Sequence, residues 1–293
     1  MEMKTYQVAE LCFSMGEGMD LVAKENNYTP FSTDGIADQN NFLFHVETGY
    51  YTDIETDSEN TAHKETYSNE NGSYTVHSSN GYYYWKLKRT GDERCYGMLL
   101  DLNHKKAILN FEIKDSFAIR ATDDFIRFAF IYSSAFHNTI LLHSSCIAYQ
   151  GDGIAFTGNS GVGKSTHSSL WLKYVEGADL INDDQPAVRI INDKTIIYGT
   201  PWSGKTLCYK QKKAQLKAIL CMKQAKENKI TPISSTQLFT NLLPQCSLSK
   251  TDRLTMPSII QTLAKIAENV RGAQLENRPE KEAVQMAYHF FRQ

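Results

Sequence analysis

Gly158-Asn159-Ser160-Gly161-Val162-Gly163-Lys164-Ser165-Thr166 is the stretch that decides the fold, because it matches the phosphate-loop pattern G-x-x-x-x-G-K-[ST]. In this pattern the glycines let successive backbone N–H groups turn towards the oxygens of a di- or triphosphate. The lysine, Lys164, reaches the β- and γ-phosphates, and the Ser165 hydroxyl binds Mg²⁺. The predicted nucleotide contacts are therefore Gly158, Ser160, Gly161, Val162, Gly163, Lys164, Ser165 and Thr166.

The flanks of this stretch have the patterns that a phosphate loop needs. Ile154–Thr157 is a short apolar run typical of a buried strand. After the loop, Leu170, Trp171, Tyr174 and Val175 fall on one face of a helix predicted over 166–175. The start of that helix adds a partial positive charge to the site. Strand, loop and helix together predict nucleotide binding.

The bulk composition narrows the class of protein. The chain has 293 residues, a formal net charge of −2 and 22% charged residues, so it has no basic field for nucleic acid or an anionic membrane. No apolar run reaches the roughly 20 residues of a membrane span, and the N-terminus lacks the apolar core of a signal peptide. Six cysteines without a C-x-x-C pair indicate reduced thiols, and we expect a cytoplasmic protein.

The first part of the chain, residues 1–120, is predicted to be a β-rich N-terminal region. The predicted strands are Phe42–Val46, Tyr74–His77 and Tyr82–Leu87, followed by a hairpin of Met98–Asp101 and Ala107–Ile113. The acidic, Asn/Ser-rich stretch 52–73 predicts a long exposed loop.

The second part, residues 121–293, is predicted to be the nucleotide-binding domain. Asp123 and Asp124 predict the cap of an amphipathic helix, and one strand is expected to run from Ile140 to Tyr149. Further predicted elements are strands 154–157, 179–182, 187–191, 195–198 and 218–222, and helices near 234–243, 254–271 and 280–291. Hairpins around a single phosphate-loop helix predict a mixed α/β core, and not a repeating βαβ sheet.

Two adjacent carboxylates, Asp183 and Asp184, follow the predicted strand 179–182. Phosphoryl transfer to a hydroxyl needs a carboxylate near Mg²⁺ and a group that takes the hydroxyl proton, and this pair can supply both. The alternative is that Asp183 caps a turn before Pro186 and Asp184 is only solvated.

His143, the loop Gly158–Ser165 and Asn182-Asp183-Asp184 resemble, in order and spacing, the catalytic domain of the HPr kinase/phosphorylase family. The resemblance covers residues 139–293 and implies a phosphoenolpyruvate carboxykinase-like nucleotide-binding core. The motif Tyr198–Lys205 is similar to one in HPr-kinase-related proteins of bacterial peptide-maturation gene clusters. Thr166 departs from the pattern, because HPr kinases carry Glu there.

The resemblance implies catalytic roles for individual residues. Asp183 would accept the proton, Asp184 and Ser165 would hold Mg²⁺, and His143 would lie near the transferred phosphoryl group. His143 has the alternative of a hydrogen-bonded core histidine. Lys205 is a candidate contact to the γ-phosphate or the acceptor, and a plain surface lysine is its alternative.

The predicted function is an ATP-dependent kinase that phosphorylates a hydroxyl of a peptide, a protein or a small molecule. A peptide from a maturation cluster is one acceptor that the resemblance suggests, and a homo-oligomer is one assembly. The alternatives are a catalytically inactive nucleotide-binding scaffold, a carboxykinase-like enzyme and a P-loop ATPase. The string Asn228–Thr231 lacks the Asp of a guanine-binding motif, so guanine specificity is not indicated.

Overall fold

The computed structural model describes residues 3–35, 38–51, 63–69, 72–79, 81–91, 94–204, 206–247 and 252–293. The chain divides into two compact units, one of residues 1–136 with 248–257 and one of residues 137–247 with 258–293. The predicted mixed α/β class and the β-rich N-terminal region are confirmed. Among the described residues, no helix is long and apolar enough to cross a bilayer.

The first unit is built on a nine-stranded sheet. Its elements are β1 Lys4–Val8, β2 Leu11–Met15, α1 Asp20–Ala23, β3 Ser32–Thr33, β4 Phe42–Thr48, β5 His63–Asn69, β6 Gly72–Ser79, β7 Tyr82–Arg89, β8 Cys95–Asp101, β9 Lys106–Leu109 and α2 Ser116–Ser134. The strand order is β3-β1-β2-β4-β9-β8-β7-β6-β5, and the pairs β2–β4 and β4–β9 are parallel. The boundary predicted between residues 120 and 121 falls inside α2.

Aromatic side chains join α2 to this sheet. Trp85 and Tyr132 meet edge to face, with ring centroids 5.1 Å apart, and Tyr74 meets Phe125 at 6.4 Å. The Tyr74 hydroxyl donates to the buried Asp124 carboxylate at 2.5 Å. The aromatic residues of β6 and β7 are therefore the packed face of a sheet, held in place by a buried acceptor on the helix.

Three predictions in this unit are wrong. The helix begins at Ser116, because the Asp115 carboxylate accepts the Ala118 N–H at 2.8 Å and caps it; Asp123 and Asp124 lie mid-helix. Part of the predicted loop 52–73 is strand β5, which pairs with β6, while 52–62 and 70–71 lie outside the described residues. The strand predicted to reach Ile113 ends at Leu109, where its pairing with β8 ends.

The second unit contains a mixed sheet with helices. Its elements are β10 Thr139–Leu141, β11 Ser144–Tyr149, β12 Asp152–Thr157, α3 Lys164–Tyr174, β13 Asp179–Asn182, β14 Ala187–Ile191, β15 Lys194–Tyr198, β16 Lys213–Gln224, β17 Lys229–Ile233, α4 Ser235–Leu242, α5 Met256–Asn269, β18 Arg271–Asn277 and α6 Lys281–Arg292. The order is β10-β14-β15-β16-β12-β11-β13, and β18 pairs with β16 and β17.

Parallel pairing places three strand ends side by side in this sheet. β12 and β18 both run parallel to β16. Residues that follow β12 therefore lie at the same edge as the last residues of β16 and β18. Open α/β sheets bind ligands at this carboxyl edge.

The second unit also corrects the predicted elements. The strand expected from Ile140 to Tyr149 is interrupted, because the Leu142 N–H donates to Pro186 O and the His143 N–H to Gln245 O. The three C-terminal helices are confirmed within a few residues, but β17 and β18 were not predicted. On α3, Trp171 is buried while Tyr174 is 38% exposed, so the buried face passes through His167 and Ser168.

Candidate functional site

The loop between β12 and α3 is held at the centre of the sheet of the second unit. β12 lies between β11, which is antiparallel to it, and β16, which is parallel. Its apolar residues Ile154 and Phe156 are fully buried, so the strand gives the loop a rigid start. The loop therefore leaves the carboxyl edge from a fixed position.

The backbone of the loop depends on its glycines. Gly158, Gly161 and Gly163 have φ angles of 144°, 79° and 102°, which side-chain-bearing residues rarely adopt. At Gly158 a Cβ atom would also lie 2.9 Å from the carbonyl oxygen of Met222 on β16. The Gln224 side chain donates to the Gly161 carbonyl at 3.1 Å. The loop is thus packed on the end of β16.

The first turn of α3 is left open. Gly163 is its N-cap residue, and within the described part of the chain no side chain caps this end. The first turn also carries no acidic residue. The unpaired N–H groups and the helix dipole therefore form an anion-binding end. Ser165 and Thr166 are exposed there, as are Ser160 and Gly161 in the loop.

Lys164 folds back over the loop. Its Nζ donates to the carbonyl of Gly158 at 2.9 Å and to that of Asn159 at 3.4 Å, and the residue is 9% exposed. Burial lowers the pKa of Lys164, and the carboxylates of Asp184 and Asp183 partly oppose this. The two carboxylates and the ammonium group therefore lie within electrostatic reach of one another.

Asp183 is the most unusual side chain of the site. It is 6% exposed, and neither carboxylate oxygen has a hydrogen-bond partner among the described residues. A buried carboxylate normally has hydrogen-bond partners. Each buried polar group that lacks a partner costs about 1–3 kcal/mol of stability, and a charged group costs more. Both oxygens of Asp183 therefore keep their acceptor capacity for a partner that the described residues do not supply.

The backbone around Asp183 is fixed by its neighbour Asn182. The Asn182 side-chain oxygen accepts the N–H groups of Asp184 and Gln185, each at 2.9 Å. Its amide donates to the Thr200 hydroxyl at 3.2 Å and to the Trp202 carbonyl at 3.1 Å. Asn182 therefore ties the turn with the carboxylates to the motif 198–205.

The glycine of that motif allows the close approach. A Cβ atom at Gly204 would lie 3.1 Å from the carbonyl oxygen of Asp183 and 3.3 Å from Cβ of Asp184. Sequence reasoning missed the anchoring roles of Asn182, Thr200 and Gly204, although both motifs were visible. Lys205, the next residue, lies outside the described residues, so its role stays a prediction.

Asp184 and His143 form a second polar pair. His143 Nε2 lies 3.4 Å from Asp184 Oδ1, and the Ser144 N–H donates to the Asp184 carbonyl at 3.1 Å. Burial lowers the pKa of His143, Lys164 lowers it further, and Asp184 opposes both. The structure brings His143, Lys164, Asp183 and Asp184 together.

The oxygen donors fit Mg²⁺ by their chemistry. Mg²⁺ is commonly bound through one or two carboxylates, water and the phosphates of the substrate. Asp183 has free oxygens, Asp184 is half-buried and Ser165 is exposed at the start of α3. Within the described ranges no group of three or more His, Cys, Asp or Glu side chains could hold a metal alone.

His167, one turn into α3, has a structural environment. Its Nε2 accepts the indole N–H of Trp171 at 3.2 Å, and its ring meets Phe156 edge to face. Burial lowers the pKa of His167 to about 4. It is a neutral core residue that supports the helix.

A cavity of about 620 Å³ opens beside the loop. One wall is residues 157–162, the floor is 221–224 with Gln274, and the other wall is the end of α4 with the residues that follow it. Its size is within the roughly 300–1,000 Å³ of small-molecule sites. The cavity is at the carboxyl edge predicted for a ligand.

No protein-family model matches the chain, and no curated protein sequence matches it. Among solved structures it is similar to the HPr(Ser) kinase/phosphatase from Coxiella burnetii, at 10% sequence identity and a TM-score of 0.33. The match covers 52% of this chain and 97% of that chain. The likeness is distant.

Proposed function

We propose that this protein is an ATP-dependent phosphotransferase that moves the γ-phosphoryl group of ATP to a hydroxyl acceptor. The observation that carries the proposal is Asp183, a buried carboxylate with two unpartnered oxygens beside the lysine of a phosphate loop. A group of this kind costs stability, and a reaction that uses its free oxygens accounts for that cost.

The phosphate loop and α3 bind the nucleotide phosphates. The N–H groups of the loop and of the first turn of α3 bind the phosphate oxygens. Without a nucleotide, the Lys164 ammonium donates to the Gly158 and Asn159 carbonyls of the loop. When ATP binds, it donates to the β- and γ-phosphates instead. Asp184 and Ser165 would hold Mg²⁺, which would neutralise part of the phosphate charge.

Asp183 then accepts the acceptor's proton. The hydroxyl oxygen forms a bond to the γ-phosphorus while the bond from that phosphorus to the β,γ-bridging oxygen breaks, so ADP leaves with the electron pair. The hydroxyl proton passes to the Asp183 carboxylate. Catalysis consists mostly of positioning and charge neutralisation, which matches a site of one base, one lysine and an open helix end. The acceptor is a Ser or Thr of a peptide or protein, or a small hydroxyl compound.

Single-turnover transfer from γ-labelled ATP tests the proposal. The acceptors are peptides encoded beside the gene and a panel of small hydroxyl compounds. We expect a labelled serine, threonine or hydroxyl product with the wild type and at least an about 10²-fold slower reaction with Asp183→Asn, the size of a lost general base. Transfer by Asp183→Asn at the wild-type rate would place the base elsewhere, with His143 next. Tight ATP binding without any labelled product would favour the inactive scaffold.

Nucleotide binding is measured separately by calorimetry with a non-hydrolysable ATP analogue and Mg²⁺. Lys164→Ala should weaken binding at least about tenfold, a loss of roughly 1.4 kcal/mol. Lys173→Ala is the matched control, since Lys173 is an exposed lysine in the last turn of the same helix. Equal binding by Lys164→Ala and Lys173→Ala would contradict the phosphate site.

A further inference from the structure

The cavity beside the phosphate loop has walls of two kinds. Its lining includes the apolar residues Val162, Met222 and Pro244, one cation, Lys223, and five residues with carboxamide side chains, Asn159, Gln224, Asn241, Gln245 and Gln274. The described residues that line it include no Asp or Glu. Its lining suits a flat, uncharged group that is apolar on its faces and polar at its edge.

The cavity is also continuous with the phosphate site but separate from the reacting groups. Residues 157–162 line it, whereas Lys164, Ser165 and Asp183 do not. A ligand whose phosphates lie on the loop can therefore place its other end in the cavity. This leaves the γ-phosphoryl end next to Asp183.

The carboxamides point to one base. A carboxamide presents a donor and an acceptor side by side, and Asn or Gln pairs in this way with the amino group and a ring nitrogen of adenine. The N1–H and N2 donors of guanine need paired acceptors, which a carboxylate supplies best. Lys223 borders the cavity, but its ammonium group is 3.9 Å from Glu276.

We propose that this cavity is an adenine subsite, in which Asn241 at the end of α4 and Gln274 on β18 read the edge of the base. The proposal rests on the proposed function, because the phosphates of the same nucleotide occupy the loop. Asn241 is already positioned, since its side chain hydrogen-bonds with the thiol of Cys221 on the cavity floor. Met222 and Pro244 then contact the faces of the ring.

Filling the cavity is the first test. Thr240 is an exposed residue of α4 that lines the cavity, and Thr236 is exposed one turn earlier on the same helix without lining it. Binding of ATP and of inorganic tripolyphosphate, each with Mg²⁺, is measured by calorimetry. Thr240→Trp should weaken ATP binding at least about tenfold and leave tripolyphosphate within a factor of about three. Thr236→Trp should change neither.

Reading of the base is the second test. Wild type should bind ATP at least about tenfold more tightly than GTP, and Asn241→Ala with Gln274→Ala should reduce this preference without changing tripolyphosphate binding. Equal affinity for ATP and GTP, or ATP binding that Thr240→Trp leaves unchanged, would overturn the subsite. If wild type binds neither ATP nor tripolyphosphate, the proposed function fails. If it binds both and the cavity variants have no effect, only the adenine subsite fails.

Discussion

Buried carboxylates in the two units differ in how they are paired. In the first unit Asp124 accepts hydrogen bonds from the Tyr74 hydroxyl and from Arg127, each at 2.5 Å, and Asp252 accepts the Tyr83 hydroxyl at 2.8 Å. In the second unit Asp183 is as deeply buried, but neither of its oxygens has a partner within the described residues.

The difference separates two uses of a buried charge. Asp124 uses both carboxylate oxygens within its own unit, and Asp252 uses its Oδ2, although the Asp252 Oδ1 has no partner among the described residues. Removing a partner from such a buried carboxylate costs stability. The two carboxylate oxygens of Asp183 accept no hydrogen bond from the described residues, so they are left for a bound ligand. The same contrast holds for two helix ends of the second unit, since α4 has a capping box from Ser234 and Gln237 and α3 has no side-chain cap.

The largest expected effect is on turnover, with little effect on stability. Asp183→Asn keeps the shape of the side chain but removes the basic carboxylate, so the rate of phosphoryl transfer should fall by about 10²-fold or more. The melting temperature should stay the same or rise, because a buried unpaired charge is removed. Differential scanning calorimetry and transfer kinetics on the same preparation check this. A large loss of stability would make Asp183 a structural residue like Asp124.

The reverse result is expected for Tyr74→Phe. Deleting the hydroxyl removes a hydrogen bond to the buried Asp124 carboxylate, so the free energy of unfolding should fall by about 1–3 kcal/mol. Urea unfolding measures the change, and Tyr50→Phe is the control, since Tyr50 is fully exposed. ATP binding should be unchanged. Weaker ATP binding by folded Tyr74→Phe would contradict the separation of roles.

Asp123, a third carboxylate of the first unit, is expected to make the stability of the protein depend on pH. Its carboxylate accepts the Tyr28 hydroxyl and the Asn27 amide, yet burial raises its pKa from 3.8 to about 6. Arg127 opposes this rise and Asp124 adds to it. Because the folded protein holds the Asp123 proton more tightly than the unfolded chain does, protonation of Asp123 stabilises the fold. This stabilisation is fully present below about pH 4. It is lost as the pH rises through about 6.

Asp123→Asn should remove that pH dependence. We expect the variant to be more stable than wild type at pH 7 by about 1–2 kcal/mol, with the difference shrinking towards pH 4. Urea unfolding at several pH values checks this, with the exposed Asp20→Asn as the control. A constant difference between variant and wild type from pH 4 to 7 would exclude Asp123 as the titrating group.

The smallest effect is expected at the capped helix. The Ser234 hydroxyl accepts the Gln237 N–H at 3.2 Å, so Ser234→Ala should lower the free energy of unfolding by about 1 kcal/mol. Ser235→Ala, one residue later, should cost less because Ser235 is not the cap. Chemical unfolding of both variants makes the comparison. Equal losses would show that the capping box adds nothing.

Patterns that act over a few residues were readable in the sequence. The strand before the phosphate loop, the hairpin of β14 and β15 and the three C-terminal helices are confirmed. Each depends on local apolar spacing or on a turn such as Asn192-Asp193, whose residues have positive φ angles. The nearness of Asp183 and Asp184 to the loop also followed from a short spacing.

Features that depend on distant residues were not readable. Asp124 was interpreted as a helix cap, because its partner Tyr74 lies 50 residues away. β18 was missed since a parallel strand is defined by its neighbour β16, across the intervening α4 and α5. The hydrogen bonds from Asn182 to Thr200 and Trp202 likewise span about 20 residues of chain.

The path of the chain between the two units has a consequence for dissection. Residues 248–257 belong to the first unit, although 137–247 and 258–293 form the second. No single cut can therefore yield both units intact. A fragment ending at residue 136 would lose Asp252 and leave the Tyr83 hydroxyl without its acceptor. Transplanting the first unit into another protein would require a graft of two segments, the N-terminal 136 residues and this ten-residue excursion.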